Sequence, residues 1–250
     1  MFFETKDTIS NGYGFKLFGT THILWLCAFV ALCAVSVIVY KKLNTKRRNT
    51  MRIIIASIVL FLELLKDGIA IATGKFDIDH LPFHLCGISV ILISFSIFKR
   101  NKTVENFLYY IGIPGAMFAL LTPDWTKLPC INFFHMHSFT IHMFLVLYPF
   151  VLVASGEVKP NLKLIPKCAL LLVGFAVPAL ILNIIFEENF MFLMDTADIG
   201  FLEIFKDTFG AHQWAFPILL PIVILVMALP LIIANKIRKS RQNKKELVNI

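Results

Sequence analysis

The chain has 250 residues, of which 58% are hydrophobic, only 16% are charged and 25 are phenylalanine. A soluble domain of this size carries about a quarter charged residues, so the composition excludes an ordinary soluble protein and indicates an integral membrane protein. The net charge of +8 at neutral pH would suit a nucleic-acid partner, but the positions of the basic residues identify it as a membrane topology signal, and no nucleic-acid partner is predicted.

Long apolar runs predict seven transmembrane helices, since about 18 or more consecutive apolar residues suffice to cross a bilayer. The predicted spans cover residues 20–40, 53–73, 81–98, 107–122, 131–154, 164–185 and 214–234. No internal repeat, linker or low-complexity tract separates them, so residues 1–250 are predicted to form one all-α transmembrane domain.

Basic and acidic residues lie on opposite sides of the predicted spans. Seventeen of the 24 lysines and arginines lie in the loops after spans 1, 3 and 5 and in the C-terminal tail, and Lys167 lies in the first turn of span 6 at the same end. The loop before span 7 carries six acidic residues: Glu187, Glu188, Asp195, Asp198, Glu203 and Asp207. Because basic loops stay on the cytoplasmic side, we expect a multi-pass protein of the cell membrane with its N-terminus outside and its C-terminus in the cytoplasm.

Two of the spans differ from a plain apolar helix. Span 2 carries Glu63, Lys66 and Asp67 at helical spacing within the membrane. Ionisable groups at that depth usually face the bundle interior and are functional candidates, although Lys66 could equally neutralise the carboxylates and tie helices together. Span 4 contains Gly112 and Pro114, which predict irregular backbone, because proline removes a helical hydrogen bond.

The histidines concentrate on the predicted outer side. All seven lie in outer loops or in the outer halves of spans: His22, His80, His84, His135, His137, His142 and His212. In span 5, His135, Ser138 and His142 share one stripe of the helix, whereas His137 faces elsewhere. Because these segments cross the membrane in both directions, a shared polar cavity open to the outside explains the clustering better than local sequence similarity.

The stretch HLPFHLCGIS at residues 80–89 opens span 3. Cys86 beside a histidine could be a nucleophile, because the imidazole accepts the thiol proton and the thiolate attacks a carbonyl. Alternatively, His80, His84 and Cys86 could bind zinc, or the histidines could bond between helices while the cysteine packs.

His84 and Cys86 lie about 200° apart on a regular helix. Either Pro82 makes this start irregular, or Cys86 meets a histidine from another span. No metal is predicted.

Five sequence blocks resemble, in order, the YwaF-like family of bacterial membrane proteins: FGTTHILWL at 18–26, LPFHLCGIS at 81–89, YIGIPGAMFALLTPD at 110–124, HMFLVLYP at 142–149 and NFMFL at 189–193. That family is similar to animal transmembrane protein 164, which is regarded as a phospholipid acyltransferase with a cysteine acyl-enzyme and a histidine. The resemblance implies that Cys86 corresponds to this cysteine. It also implies that His142, which opens the fourth block, corresponds to the histidine.

The expected function is a thiol-dependent acyltransferase or hydrolase that acts on a membrane phospholipid or another acyl lipid without a cofactor. Cys86 would attack an ester carbonyl, His142 would act as general base and then as acid, and His84 would orient groups or stabilise charge. Three further polar residues are candidate substrate contacts: His135, Asn189 and Asp124.

The alternative function is a membrane transporter or a small-solute or proton-binding protein. In that case the histidines and the charged residues of span 2 would line a path, and the irregular span 4 would suit such a protein as well. The distance between the Cys86 sulfur and the His142 ring discriminates the two. Hydrogen-bond reach favours the enzyme, and separation across the bundle removes it.

Overall fold

Helices account for all the regular secondary structure in the computed structural model, which describes residues 1–10, 12–197 and 199–248. Its α-helices are α1 (Thr20–Lys42), α2 (Thr45–Ala72), α3 (Leu85–Phe98), α4 (Lys102–Phe107), α5 (Ile113–Leu121), α6 (Phe133–Ala154), α7 (Ile165–Phe186), α8 (Gly200–Phe209) and α9 (Ala215–Val248). Short 3₁₀ turns cover Ile78–His80, Leu162–Leu164, Phe190–Phe192 and His212–Trp214. Asp198, counted above among the acidic loop residues, lies outside the described residues.

Within the residues that the structure describes, five helical segments are long and apolar enough to cross a membrane: Thr20–Lys42, Lys102–Leu121, Phe133–Ala154, Leu162–Phe186 and His212–Ile233. They correspond to predicted spans 1, 4, 5, 6 and 7. Predicted span 2 is α2, a helix of 28 residues whose apolar part carries Glu63, Lys66 and Asp67. Predicted span 3 is α3, an apolar helix of only 14 residues. It starts at Leu85 rather than at residue 81 because Pro82 and the extended backbone of His84 delay the helix.

Helix α6 occupies the centre of the bundle, where it packs against α1, α2, α3 and α5. Asn132 caps its first turn, and the side-chain oxygen of Asn132 accepts a hydrogen bond from the backbone N–H of His135 at 3.1 Å. The amide nitrogen of Asn132 donates to the backbone carbonyls of Met1 and Glu4. The cap therefore both starts the central helix and holds the N-terminal segment against it.

The irregular backbone that Gly112 and Pro114 predict is a π-helical turn, Leu108–Gly112, which joins α4 to α5. Such turns insert a wider hydrogen-bonded loop into a helix and are often found at functional sites. The turn is buried and packs against α3, α6 and α9. Non-helical backbone in a membrane helix requires such shielding by protein, because lipid offers no hydrogen bonds.

Helix α8 carries a stripe of three phenylalanines at helical spacing, Phe201, Phe205 and Phe209. Phe201 packs edge-on against Phe118 of α5, with ring centroids 5.4 Å apart. Phe205 stacks on Phe209 at 5.6 Å. Phe201 and Phe209 are nonetheless exposed, so the stripe is available to the membrane interface along most of its length.

Candidate functional site

Cys86 lies in the first turn of α3, one residue after Leu85, where the helix begins. The preceding segment turns sharply at Pro82, and Gly87 makes this possible, since a Cβ on Gly87 would lie 2.6 Å from the Pro82 Cα atom. No side chain caps this helix end. The partial positive charge of a helix N-terminus attracts negative charge, and Cys86 lies within this first turn.

His142 of α6 meets Cys86 across the helix interface. Its Nε2 atom lies 3.0 Å from the Cys86 sulfur, and its Nδ1 atom lies 2.7 Å from the backbone carbonyl oxygen of Ser138. A carbonyl oxygen can only accept a hydrogen bond, so Nδ1 carries the proton of the neutral ring and donates it there. Nε2 is then the free acceptor and takes the hydrogen bond from the thiol. The pair has the geometry of a nucleophile with its general base.

Trp125 packs against the face of the His142 imidazole. The indole stacks on the His142 ring at a centroid distance of 5.3 Å and an interplanar angle of 17°. Trp125 is buried and also contacts Phe139 edge-on at 5.2 Å. It follows the turn at Thr122 that ends α5. From the sequence alone, residues 122–125 are interpreted only as a turn at the outer surface. The one available signal is a large aromatic residue in a polar turn, directly after the family block at 110–124.

His84 precedes α3 and is held by two hydrogen bonds. Its Nδ1 accepts from the backbone N–H of Met191 at 3.3 Å, so Nε2 carries the proton and donates to the Asp79 carboxylate at 2.8 Å. The pKa of Asp79 lies below its ordinary value, chiefly because this hydrogen bond stabilises the carboxylate, although partial burial opposes the shift. Among the described residues no hydrogen bond joins the His84 ring to Cys86.

A cavity of about 170 Å³ lies beside the Cys86–His142 pair. Four of the seven histidines line it: His80, His84, His137 and His142. The other polar residues of its wall come from α2, from the segment before α3, from α3 itself and from α6: Glu63, Lys66, Asp79, Cys86 and Ser138. The polar groups that the sequence scattered over three predicted spans are therefore brought to one space.

The charged residues of α2 form an ion-paired cluster on this cavity. Lys66 Nζ lies 2.6 Å from a Glu63 carboxylate oxygen and 3.3 Å from an Asp67 oxygen. Glu63 and Lys66 line the cavity, whereas Asp67 is not part of its wall. Both ion pairs lie within α2, so through them Lys66 neutralises its neighbours without joining a second helix, and it also borders the cavity.

The three predicted substrate contacts lie outside the cavity wall. His135 is buried against α1, where its Nε2 accepts a hydrogen bond from the Trp25 indole at 3.0 Å. Asn189 accepts from the backbone N–H groups of Met194 and Asp195 within its own loop. Asp124 pairs with Lys6 of the N-terminal segment at 2.6 Å.

His137, and not His135, shares the cavity wall with Ser138 and His142, contrary to the predicted stripe. The spacing placed His137 away from Ser138 and His142, but His137 lines the cavity beside them. Helical spacing shows which residues share a face, but the neighbours α1 and α2 determine which face is polar. His135 faces the indole of α1, and His137 lies towards the charged cluster of α2.

Each of the three candidate metal ligands, His80, His84 and Cys86, contacts a different partner. His80 bonds Asp77 at 2.5 Å, His84 bonds Asp79, and Cys86 contacts His142. The described residues contain no group of three or more His, Cys, Asp or Glu side chains placed to hold a metal ion.

Comparison with known proteins gives one match at the level of a family. The model of the TMEM164 family matches residues 17–245 of this chain. No curated protein and no solved structure matches it significantly.

Proposed function

Because the chain belongs to the TMEM164 family, and because its Cys86 sulfur lies 3.0 Å from His142 Nε2, we propose that it is a thiol-dependent acyltransferase acting on membrane phospholipid or another acyl lipid. The contact between these two atoms carries the proposal. It joins residues 56 positions apart, and the hydrogen bond from Nδ1 to Ser138 leaves Nε2 free to accept the thiol proton.

The proposed reaction has two halves. In the first, His142 Nε2 accepts the proton of Cys86 and the thiolate attacks the ester carbonyl carbon of the lipid. The carbon–oxygen bond of the ester breaks, the leaving alcohol takes the proton from His142, and the acyl group remains on Cys86 as a thioester. In the second, an acceptor hydroxyl loses its proton to His142 and attacks the thioester. The carbon–sulfur bond then breaks and the proton returns to the sulfur.

The start of α3 would stabilise the negative charge that develops on the carbonyl oxygen. The backbone N–H groups of its first turn have no side-chain cap, and the N–H groups of Cys86 and Gly87 lie next to the reacting sulfur along the chain. Preorganised backbone donors at a helix N-terminus are suited to an oxyanion. His84, hydrogen-bonded to Asp79 and Met191, would act by bracing this turn.

The size of the cavity suits the reacting groups of a lipid rather than a whole molecule. Its volume of about 170 Å³ is below the roughly 300–1,000 Å³ of sites that enclose a drug-sized ligand. The ester and its immediate neighbours would occupy the cavity, and the acyl chains would stay in the bilayer.

In the proposed arrangement the chain crosses the cell membrane seven times, with its N-terminus outside. Helix α3, at 14 residues, is about 21 Å long, which is less than the roughly 30 Å of the hydrocarbon core. The irregular residues 81–84 would complete this crossing where they line the cavity, which is the setting in which such backbone is tolerated in membranes.

Site-specific labelling tests the orientation. In a cysteine-free background, we expect a cysteine at Thr45 to react with a membrane-impermeant maleimide only from the cytoplasmic side and one at Asp195 only from outside. Both positions are exposed. Labelling of both from the same side would contradict the orientation and the external cavity.

Acyl-enzyme trapping tests the chemistry. Incubation of the solubilised protein with a phospholipid labelled in its acyl chain should leave label on Cys86 as a thioester that neutral hydroxylamine releases. Cys86→Ala should abolish the label, and Cys168→Ala, on α7, should leave it in place. Label that persists in Cys86→Ala would show that the site is elsewhere. Wild-type protein that stays unlabelled with several lipid classes would favour the transporter, for which the charged cluster lining the cavity is the supporting observation.

A further inference from the structure

The cavity beside Cys86 has a second group of polar residues that the proposed first half-reaction does not use. This polar end consists of Glu63 and Lys66 of α2 and His137 of α6, all three of which line the cavity. Lys66 and His137 face the same cavity from two helices that pack against each other. A molecule that occupies the cavity next to Cys86 therefore also meets these three side chains.

His137 is the sign that this end takes a ligand. The residue is only 7% exposed, and its Nε2 atom is buried without a hydrogen-bond partner among the described residues. Buried polar atoms in folded proteins are nearly always hydrogen-bonded, because leaving one unpaired is costly. Phe133 covers one face of the ring, at 6.1 Å, and the ring borders the cavity.

The charges of the polar end determine which chemistry fits. The Lys66 ammonium already contacts carboxylates of Glu63 and Asp67, and Asp79 adds a further carboxylate to the cavity wall. A phosphate placed here would meet more negative than positive charge. A neutral hydroxyl has no such penalty. It can donate to or accept from His137 Nε2, whichever tautomer is present, and it can accept from a Lys66 ammonium N–H that Glu63 does not take.

We propose that His137 and the Glu63–Lys66 pair form the acceptor subsite of this protein, which binds a neutral hydroxyl-bearing group of the molecule that takes the acyl chain from Cys86. The inference rests on the proposed acyltransferase function and adds the class of acceptor. A diol such as a glycerol group fits both ends. One hydroxyl is held by His137 and Lys66, while its neighbour attacks the thioester carbon. The carbon–sulfur bond breaks, and the proton passes through His142 to the sulfur. His137 is a positioning residue in this step.

Transfer from the trapped thioester tests the subsite with two matched probes, 1-O-octylglycerol and octyl phosphate, in a detergent that has no hydroxyl groups. Octylglycerol should discharge labelled Cys86 in a saturable manner and yield a labelled ester, whereas octyl phosphate should not compete. His137→Phe should raise the half-saturating octylglycerol concentration by about tenfold or more, as expected for a lost buried hydrogen bond. Its effect on the half-saturating octylglycerol concentration should exceed its effect on the rate at which the phospholipid acylates Cys86.

Tyr110→Phe is the matched control. The Tyr110 hydroxyl is also buried without a hydrogen-bond partner in the described part of the chain, but it lies outside the cavity wall. This substitution should alter neither acylation nor transfer. Equal saturation by octylglycerol in His137→Phe and in the wild type, or tight competition by octyl phosphate, would overturn the subsite.

A binding experiment separates failure of the subsite from failure of the chemistry. In Cys86→Ala, which cannot be acylated, octylglycerol should raise the melting temperature, and adding His137→Phe should remove the effect. If no thioester forms in the wild type but this stabilisation depends on His137, the subsite stands and the proposed chemistry falls. If the thioester forms but octylglycerol neither binds nor accepts the acyl group, the subsite falls and the acylation chemistry stands.

Discussion

Helices α6 and α7 have the same length of 22 residues, and each contains an internal proline, Pro149 and Pro178. Their surroundings are opposite. Of the most apolar stretch of each span, 61% is buried in α6 and only 11% in α7. The mean hydropathy runs the other way, at 1.7 for α6 and 2.6 for α7. The helix inside the protein is the more polar of the two.

The difference between α6 and α7 reflects where this bundle can place polar side chains. A helix that faces lipid cannot carry unpaired polar groups, because the bilayer offers no hydrogen bonds. A helix enclosed by others can, since its neighbours supply partners. Helix α6 carries His135, His137 and His142, and the neighbouring helices and Trp125 contact two of them. High hydropathy therefore marks the lipid-facing helices, and moderate hydropathy marks the helix that carries the proposed catalytic histidine.

The largest expected effect comes from His142→Ala on α6. Loss of the general base should slow acylation of Cys86 by about 10²–10⁴-fold, while some reaction remains, since a thiol is partly ionised near neutral pH. The initial rate of hydroxylamine-sensitive labelling measures this. Val173→Ala on the exposed face of α7 should change that rate by less than about threefold. Equal losses from both substitutions would remove the functional contrast between the helices.

Packing should differ between the two helices in the same direction. Leu147 of α6 is 2% exposed, and Leu170 of α7 is 72% exposed. Leu147→Ala leaves a void and should destabilise the protein by about 1–3 kcal/mol, toward the low end for buried leucines because lipid is as apolar as the side chain. Leu170→Ala should cost less than about 0.5 kcal/mol. Unfolding in detergent mixtures measures both, and a larger cost at Leu170 would mean that a further protein surface covers α7.

The smallest expected effect concerns pH at the cavity wall facing α6. The hydrogen bond from His84 lowers the pKa of Asp79, so the folded protein binds this proton less readily than the unfolded chain. The stabilisation is present above the ordinary pKa of an aspartate, about 4, and is lost as the pH falls through the lower folded value. Its size is modest, since the Asp79 side chain is half exposed.

Melting temperatures between pH 5 and pH 3 check this prediction. The wild type should lose more of its thermal stability over this interval than Asp79→Asn, which has no carboxylate to protonate. Parallel curves for the two proteins would show that the His84–Asp79 contact does not contribute to stability.

Local composition determined the class of protein and most of its helices. The hydropathy of a segment depends only on its own residues, so it can be read from the sequence without knowledge of the packing. The predicted spans at 20–40, 131–154 and 164–185 accordingly agree closely with α1, α6 and α7. Helix α2 begins at Thr45 rather than at residue 53, and α3 at Leu85 rather than at residue 81, where charge and proline respectively weaken the apolar signal. The resemblance carried by the sequence blocks is confirmed by the family match over residues 17–245, and it singled out Cys86 and His142 before any distance was known.

The resemblance named His142, but only the tertiary structure decided that its ring reaches the cysteine and that His137 shares their cavity. Span 5 offered His135, His137 and His142, and helical spacing grouped the first with the third. The packing of α6 against α1 and α2 turned His135 to Trp25 and His137 to the cavity. The reason is physical. Spacing along a helix defines faces to within a residue or two, but a hydrogen bond at 3.0 Å depends on how two helices distant in sequence are rotated against each other, and that is determined by the side chains packed between them.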